Sequence, residues 1–205
     1  VFENILTADQ LSLAENLLPT LKGYYLAGGT ALALQIGHRK SIDFHLALRD
    51  PVNPFSIERN LIRNDFHIEN VFKATRDEYS IYINRVRVTF FNFPFDVQTP
   101  IKWERCKISL PAPSELGAMK AYALGRRSIW KDYVDLFFLL KNYLNIDDMI
   151  SAANKIFSKH FNEKLFREQL CYFNDIDFSE TIEYTDTAPE DKEIKHFLES
   201  VATDI

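Results

Sequence analysis

Apolar positions along the chain divide it into a first half where helical and alternating patterns interleave and a second half that is helical throughout. Thr7 and Gln10 stand at capping-box spacing before Leu11, Leu13, Ala14, Leu17 and Leu18, which predicts a helix from about residue 8 to 18. Tyr24 to Ala27 is a β-prone run that stops at Gly28 and Gly29, and TALALQI continues as a helix until Gly37. From Ser41 to Leu48 the side chains alternate as on a strand: Ile42, Phe44, Leu46 and Leu48 share one face, and Ser41, Asp43, His45 and Ala47 the other. Phe55, Ile57, Leu61 and Ile62 mark a helix in FSIERNLIRND. HIENVFKA, EYSIYI and RVRVTFFNF then read as consecutive antiparallel strands of the same sheet.

Pro94, Pro100, Pro111 and Pro113 punctuate the change to helices. These are expected in ELGAMKAYALGRR after Ser114, from Ile129 to Tyr143, in DMISAANKIF with Asp147 as its cap, in NEKLFREQLCYF, and in PEDKEIKHFLESVA, where Thr187 and Glu190 have capping-box spacing. Thr181 to Glu193 is polar and acidic, and reads as a solvated connection. The expected fold class is α+β: a small mixed or antiparallel sheet with flanking helices over 1–105, then a helical region over 106–205 packed on it.

A chain of 205 residues, 46% of them hydrophobic, can bury a sizeable core and does not have the composition of a disordered segment. No window nears the roughly 18 unbroken apolar residues of a membrane span, and no secretory leader pattern opens the chain, so a cytoplasmic protein with no membrane partner is expected. Cys106 and Cys171 lie far apart without metal-ligand spacing and are expected to be reduced and structural, and Trp103 and Trp130 to be core. A net charge of -5 argues against coating nucleic acid nonspecifically, though it leaves room for a local basic groove. Two clusters, His38-Arg39-Lys40 and Arg126-Arg127 with Lys120 and Lys131, suit phosphates or RNA, and equally suit solvated surfaces. No GxSxG, HExxH or Walker-type lysine loop occurs.

A strand that ends in Gly28-Gly29-Thr30 and passes into a helix offers main-chain N–H groups and a positive dipole end, which suit a phosphate; a tight turn alone would use the same glycines. Asp43 and His45, two apart on a strand, project from one face with Cα atoms roughly 6–7 Å apart. Two carboxylates so placed can share a divalent cation, and here one position holds an imidazole, which suits Mn or Zn better than Mg. The plainer reading makes Asp43 a partner of a helix terminus and His45 an exposed strand residue. Farther on, Lys131 and Asp135 at i, i+4, and Asp132 and Asp135 at i, i+3, have the spacing of a salt-bridged, solvated helix face.

GGTALALQIGHRKSIDFH resembles the first motif of the DNA polymerase beta-type nucleotidyltransferases, a Gly-Gly/Ser/Thr turn followed one short helix later by Asp-x-Asp. Together with KDYVDLFFLL, Lys131 to Leu140, it is similar to the AbiEii/AbiGii toxin family of that superfamily, over about residues 22 to 143. The resemblance implies a nucleotidyltransferase core that binds a nucleoside triphosphate with Mg or Mn and transfers the nucleoside monophosphate to an acceptor hydroxyl, with a tRNA end as the implied acceptor and a cognate antitoxin protein as a partner. By this resemblance Gly28, Gly29 and Thr30 cradle the triphosphate, Asp43 and His45 hold the metal, Lys120 and Lys131 reach phosphates, and Asp132 and Asp135 organise the site. His45 stands where the family has its second metal-binding aspartate, and Thr89 where many polymerase-like transferases have a third carboxylate. Those two departures support an alternative: a catalytically degenerate fold retained as a nucleotide-binding or regulatory module.

Overall fold

In the computed structural model, which describes residues 1–204, the segments up to Ala112 and from Pro113 onward form two compact units. In the first, helix α1 (Ala8–Leu17) starts at a complete capping box: Thr7 Oγ1 accepts the Gln10 N–H at 3.2 Å, and Gln10 Oε1 accepts the Thr7 N–H at 2.8 Å. Strand β1 (Tyr25–Ala27) runs directly into helix α2 (Gly28–Ile36). That helix ends at Gly37 with φ +67°, where a Cβ would meet the Phe2 ring at 2.9 Å, so both backbone and space demand glycine. Strand β2 (Asp43–Leu48), helix α3 (Pro54–Arg63) and strands β3 (Asn70–Ala74), β4 (Glu78–Ile83) and β5 (Val86–Asn92) follow as the pattern predicts.

Two further strands, β6 (Ile101–Trp103) and β7 (Ile108–Leu110), were not expected. Each has three residues within the proline-punctuated stretch, too few to show a period. They complete a mixed seven-stranded sheet of order β3-β4-β5-β2-β1-β7-β6. β3, β4 and β5 form the expected antiparallel meander, β2 is antiparallel to β1, and β5 joins β2 in parallel.

Phe44, Leu46, Val88, Phe90, Ile81 and Tyr79 fill one face of the central strands and are fully buried. The other face is polar there, with Asp43 and His45 on β2, Arg87 and Thr89 on β5, and Ser80 and Tyr82 on β4. Apolar pattern and burial part company in places. Ile42, just before β2, and Phe55 and Ile62 on α3 are exposed, whereas Ile57 and Leu61 are buried; α3 inserts only a narrow i, i+4 stripe. Ala47, on the expected polar face, is buried.

The second unit comprises helices α4 (Pro113–Leu124), α5 (Trp130–Asn142), α6 (Ile146–Phe157), α7 (Glu163–Leu170) and α8 (Asp191–Thr203). α4 packs against α5, α6 and α7, and α8 against α5 and α7. Gly117 lets α4 approach α6, since a Cβ there would meet the Met149 methyl at 2.9 Å. Asn145, not Asp147, caps α6: its backbone is extended and its side chain accepts the Asp148 N–H at 2.7 Å, while Asp147 lies inside the first turn, where its charge suits the helix dipole. Glu190 occupies the N-cap of α8 without a side-chain cap bond, so the Thr187 capping box does not form. Trp103 and Trp130 are buried, as expected of core residues, and no described helix is long and apolar enough to cross a membrane.

Candidate active site

The passage from β1 into α2 sets the geometry. Ala27 pairs with His45 across the antiparallel β1–β2 ladder, which brings the next residue, Gly28, against the His45 side chain. Gly28 has φ +71°, and a Cβ there would lie 3.2 Å from His45 Cβ and 3.3 Å from Cγ. A side chain there would be strained by the positive φ and would press against the His45 side chain by a few tenths of an ångström. Ala27, the N-cap of α2, offers no side-chain acceptor, so no side chain caps the first-turn N–H groups of the helix. That is the arrangement in which a helix start accommodates an anion.

Thr30 is fully buried, and its hydroxyl faces β2. It donates to the main-chain oxygen of Asp43 and shares a 2.6 Å hydrogen bond with Ser41 Oγ. Gln10 Nε2 donates to the Ser41 carbonyl at 2.8 Å, so α1, α2 and the entry to β2 are tied together just before Asp43. The Thr30 hydroxyl thereby ties α2 to the strand that carries Asp43.

Asp43 and His45 share a face of β2, with Nδ1 of the histidine 3.7 Å from Oδ2 of the aspartate. Both side chains are about one-third exposed, yet Nδ1 is buried and has no hydrogen-bond partner. Donors bound to one divalent ion lie roughly 3–4 Å apart when each is about 2.1 Å from it, so the pair fits as two ligands of one cation. Among the described residues no group of three or more His, Cys, Asp or Glu side chains could hold a metal by itself. Further ligands would come from phosphate oxygens or water, as is usual for Mg²⁺.

Thr89 lies beside His45, and Arg87 beside Asp43, in the parallel β2–β5 register. Thr89 Oγ1 is 3.0 Å from Ser80 Oγ, and Arg87 Nε donates to the same Ser80 oxygen at 3.0 Å. The Thr89 hydroxyl and the Arg87 guanidinium therefore stand on the strand where a third carboxylate would be sought.

The second unit holds a different charged group. Lys120 on α4 lies 2.6 Å from Asp132 Oδ1 and 2.5 Å from Asp135 Oδ2, and all three side chains are at most 7% exposed. Arg127 adds a bidentate pair to Asp132, at 2.8 and 3.2 Å. Burial alone would raise the Asp132 carboxyl, but Lys120 and Arg127 outweigh it and hold the group below the ordinary carboxylate range. The solvated helix face allowed by the spacing is not what forms: both acids point inward to a lysine from another helix. Lys131 is apart from this group, paired with Glu180 at 2.8 Å.

The basic run His38-Arg39-Lys40 is not a solvated loop either, since His38 and Arg39 are buried and only Lys40 is exposed. Arg126 stacks on Tyr122, 3.5 Å from the ring centroid. Cys106 and Cys171 are free thiols; burial, with Glu15 and Glu3 nearby, pushes Cys106 up to about 12, so it is no nucleophile at neutral pH.

Comparison with known proteins bears on the whole arrangement. The family model described as nucleotidyl transferase AbiEii toxin, type IV TA system, matches residues 91–204, more than half of the chain. The match includes Lys120, Lys131, Asp132 and Asp135 and reaches through the C-terminal helices, well past residue 143, while Gly28 to His45 lie before its start. An uncharacterized protein of Aquifex aeolicus (strain VF5) is 26% identical over 172 residues, covering 75% of this chain and 82% of that protein. Among solved structures, MenT4, a nucleotidyltransferase toxin from Mycobacterium tuberculosis H37Rv, is similar with a TM-score of 0.63 at 14% identity, over 96% of this chain and 82% of that one. JHP933 from Helicobacter pylori gives 0.54 at 17% identity, over 98% and 91%. At such identities the likeness is one of fold, an α+β nucleotidyltransferase-like architecture.

Proposed function

Because the chain belongs to the AbiEii nucleotidyltransferase toxin family, we propose that it binds a nucleoside triphosphate with a divalent cation and transfers the nucleoside monophosphate to an acceptor hydroxyl. The observation that carries this reading is the convergence of the Gly28 turn, Asp43 and the unpartnered His45 Nδ1 at the start of α2. N–H groups of Gly28 and Gly29 receive phosphate oxygens, while the Thr30 hydroxyl positions Asp43 through the β2 main chain. Asp43 and His45 hold the cation, Mg or Mn, which when bound would neutralise phosphate charge and activate the attacking oxygen.

The acceptor oxygen attacks the α-phosphorus, the bond from that phosphorus to the bridging oxygen breaks, pyrophosphate leaves, and the acceptor hydroxyl proton passes to solvent. This chain's contribution is placement and charge rather than covalent chemistry. Within the helical unit Lys120 is a cation for phosphate, held in one orientation by Asp132 and Asp135, and Lys131, which pairs with Glu180, is a second. The acceptor is a tRNA end, and a cognate antitoxin protein is the expected partner of a toxin-family member.

A second reading is favoured by one specific feature, the replacement of two carboxylate positions by His45 and Thr89. It makes the chain a nucleotide-binding or regulatory module without turnover. Pyrophosphate release separates the two. The protein is incubated with each triphosphate, Mg²⁺ or Mn²⁺, and total tRNA. Acceptor-dependent release that is absent in Asp43→Asn supports transfer, whereas calorimetrically detected nucleotide binding with no release supports the module.

A further inference from the structure

The sheet face that carries Asp43 does not end at β5. Arg87, in register beside Asp43, is exposed yet held in place: Ser80 Oγ accepts its Nε–H, and its guanidinium carbon lies 5.5 Å from the centroid of the Phe72 ring. Among the described residues it forms no ion pair with a carboxylate, which leaves its terminal N–H groups available. Glu78, the acid of β4 on this face, is already matched by Lys73 at 2.8 Å.

Phe72 reaches that face by an irregularity of the edge strand. The β3–β4 register shifts between Val71 and Lys73, so Phe72 is the extra residue of a bulge, a device that re-aims a side chain. Its ring meets Tyr82 edge-on, with centroids 5.0 Å apart, and remains 50% exposed. A half-exposed aromatic ring, a second ring supporting it and an anchored guanidinium thus lie in a row on β3, β4 and β5, leading to Asp43 on β2. An aromatic face beside a cation recognises an unpaired nucleotide, whose base stacks on the ring and whose phosphate meets the guanidinium.

We propose that Phe72, Tyr82 and Arg87 form the subsite for an unpaired nucleotide of the acceptor strand, laid across the sheet so that its terminal hydroxyl reaches the Asp43 site; this rests on the transfer reading above. The ligand class is single-stranded RNA, and the role is acceptor placement rather than triphosphate binding.

Full-length protein is titrated with a fluorescently labelled unpaired RNA, and separately with a non-hydrolysable triphosphate plus Mn²⁺, for the unaltered chain and for Phe72→Ala, Phe72→Trp and Arg87→Gln. Both substituted positions are at the surface, and thermal melts report that each variant is folded. Phe72→Ala and Arg87→Gln should each weaken RNA binding about tenfold, Phe72→Trp should retain it, and triphosphate affinity should be unchanged in all three. Absence of RNA binding by the unaltered chain, RNA affinity indifferent to both substitutions, or a loss of triphosphate affinity alongside RNA affinity overturns the proposal. Failure of the transfer reading shows differently, as no triphosphate binding by the unaltered chain or as triphosphate binding with no acceptor-dependent release of pyrophosphate.

Discussion

Gly28 and His45 face each other across the start of α2, with the absent Cβ of the glycine only 3.2 Å from the Cβ of the histidine. That contact joins the start of α2 to the strand that carries Asp43 and His45. Gly28→Ala is expected to destabilise the protein by about 1–3 kcal/mol, through strain at positive φ, and to weaken triphosphate binding further by displacing the imidazole. Urea unfolding followed by circular dichroism reads the first effect, and calorimetry the second. A variant of unaltered stability and affinity would show that the turn is slack.

The mixed donor pair makes a prediction about ion preference. His45→Asp restores two oxygen donors and is expected to shift binding towards Mg²⁺ over Mn²⁺, while Asp43→Asn removes the anionic ligand and abolishes binding of both. Titrating each ion in the presence of a non-hydrolysable triphosphate checks this. An unchanged Mn²⁺ to Mg²⁺ ratio in His45→Asp would mean that the imidazole is not a ligand.

Lys120 sits between two buried acids, and removing it takes away the buried cation that both of them face, while Asp132 keeps its pair with Arg127. Lys120→Met is expected to destabilise the fold by about 3–5 kcal/mol. Adding Asp132→Asn and Asp135→Asn to it should recover part of that, because the two carboxylates that faced Lys120 are then uncharged and Arg127, which loses Asp132, is half exposed. Denaturant midpoints test both; an effect of the single substitution below about 1 kcal/mol would contradict the burial of the cluster.

The same cluster sets an acid limit. Asp132 is held below its ordinary carboxylate value, so its contribution to stability is fully present above the unfolded value near 3.8 and is lost as pH falls through the lower folded value. Stability attributable to this group should be constant from neutral pH down to about pH 4 and decline below it. In Asp132→Asn that part of the acid dependence should vanish, which urea titrations across the pH range will show.

Local rules made much of this molecule readable. The Thr7 capping box, the Gly37 stop, the meander and the face shared by Asp43 and His45 each follow from a short window of sequence, and each is present. What escaped depends on partners distant in the chain. The spacing of Asp132 and Asp135 describes a solvated face as well as a buried one, and only Lys120 on another helix decides between them. The Gly-Gly-Thr turn gives no sign that the Thr30 hydroxyl bonds Ser41 and Asp43 across the α2–β2 connection. Arg87 was visible only as one residue of an alternating strand, since its register beside Asp43 comes from a parallel pairing that a sequence does not display.

The central claim is transfer of a nucleoside monophosphate at the Asp43 site, and the position of a radioactive label tests it most directly. With Mn²⁺ or Mg²⁺ and total tRNA, triphosphates labelled at the α-phosphate should transfer label to the RNA and those labelled at the γ-phosphate should not, and the α-label transfer should be lost in folded Asp43→Asn. Label reaching the acceptor from the γ-phosphate, or α-label transfer undiminished in Asp43→Asn, would contradict the account.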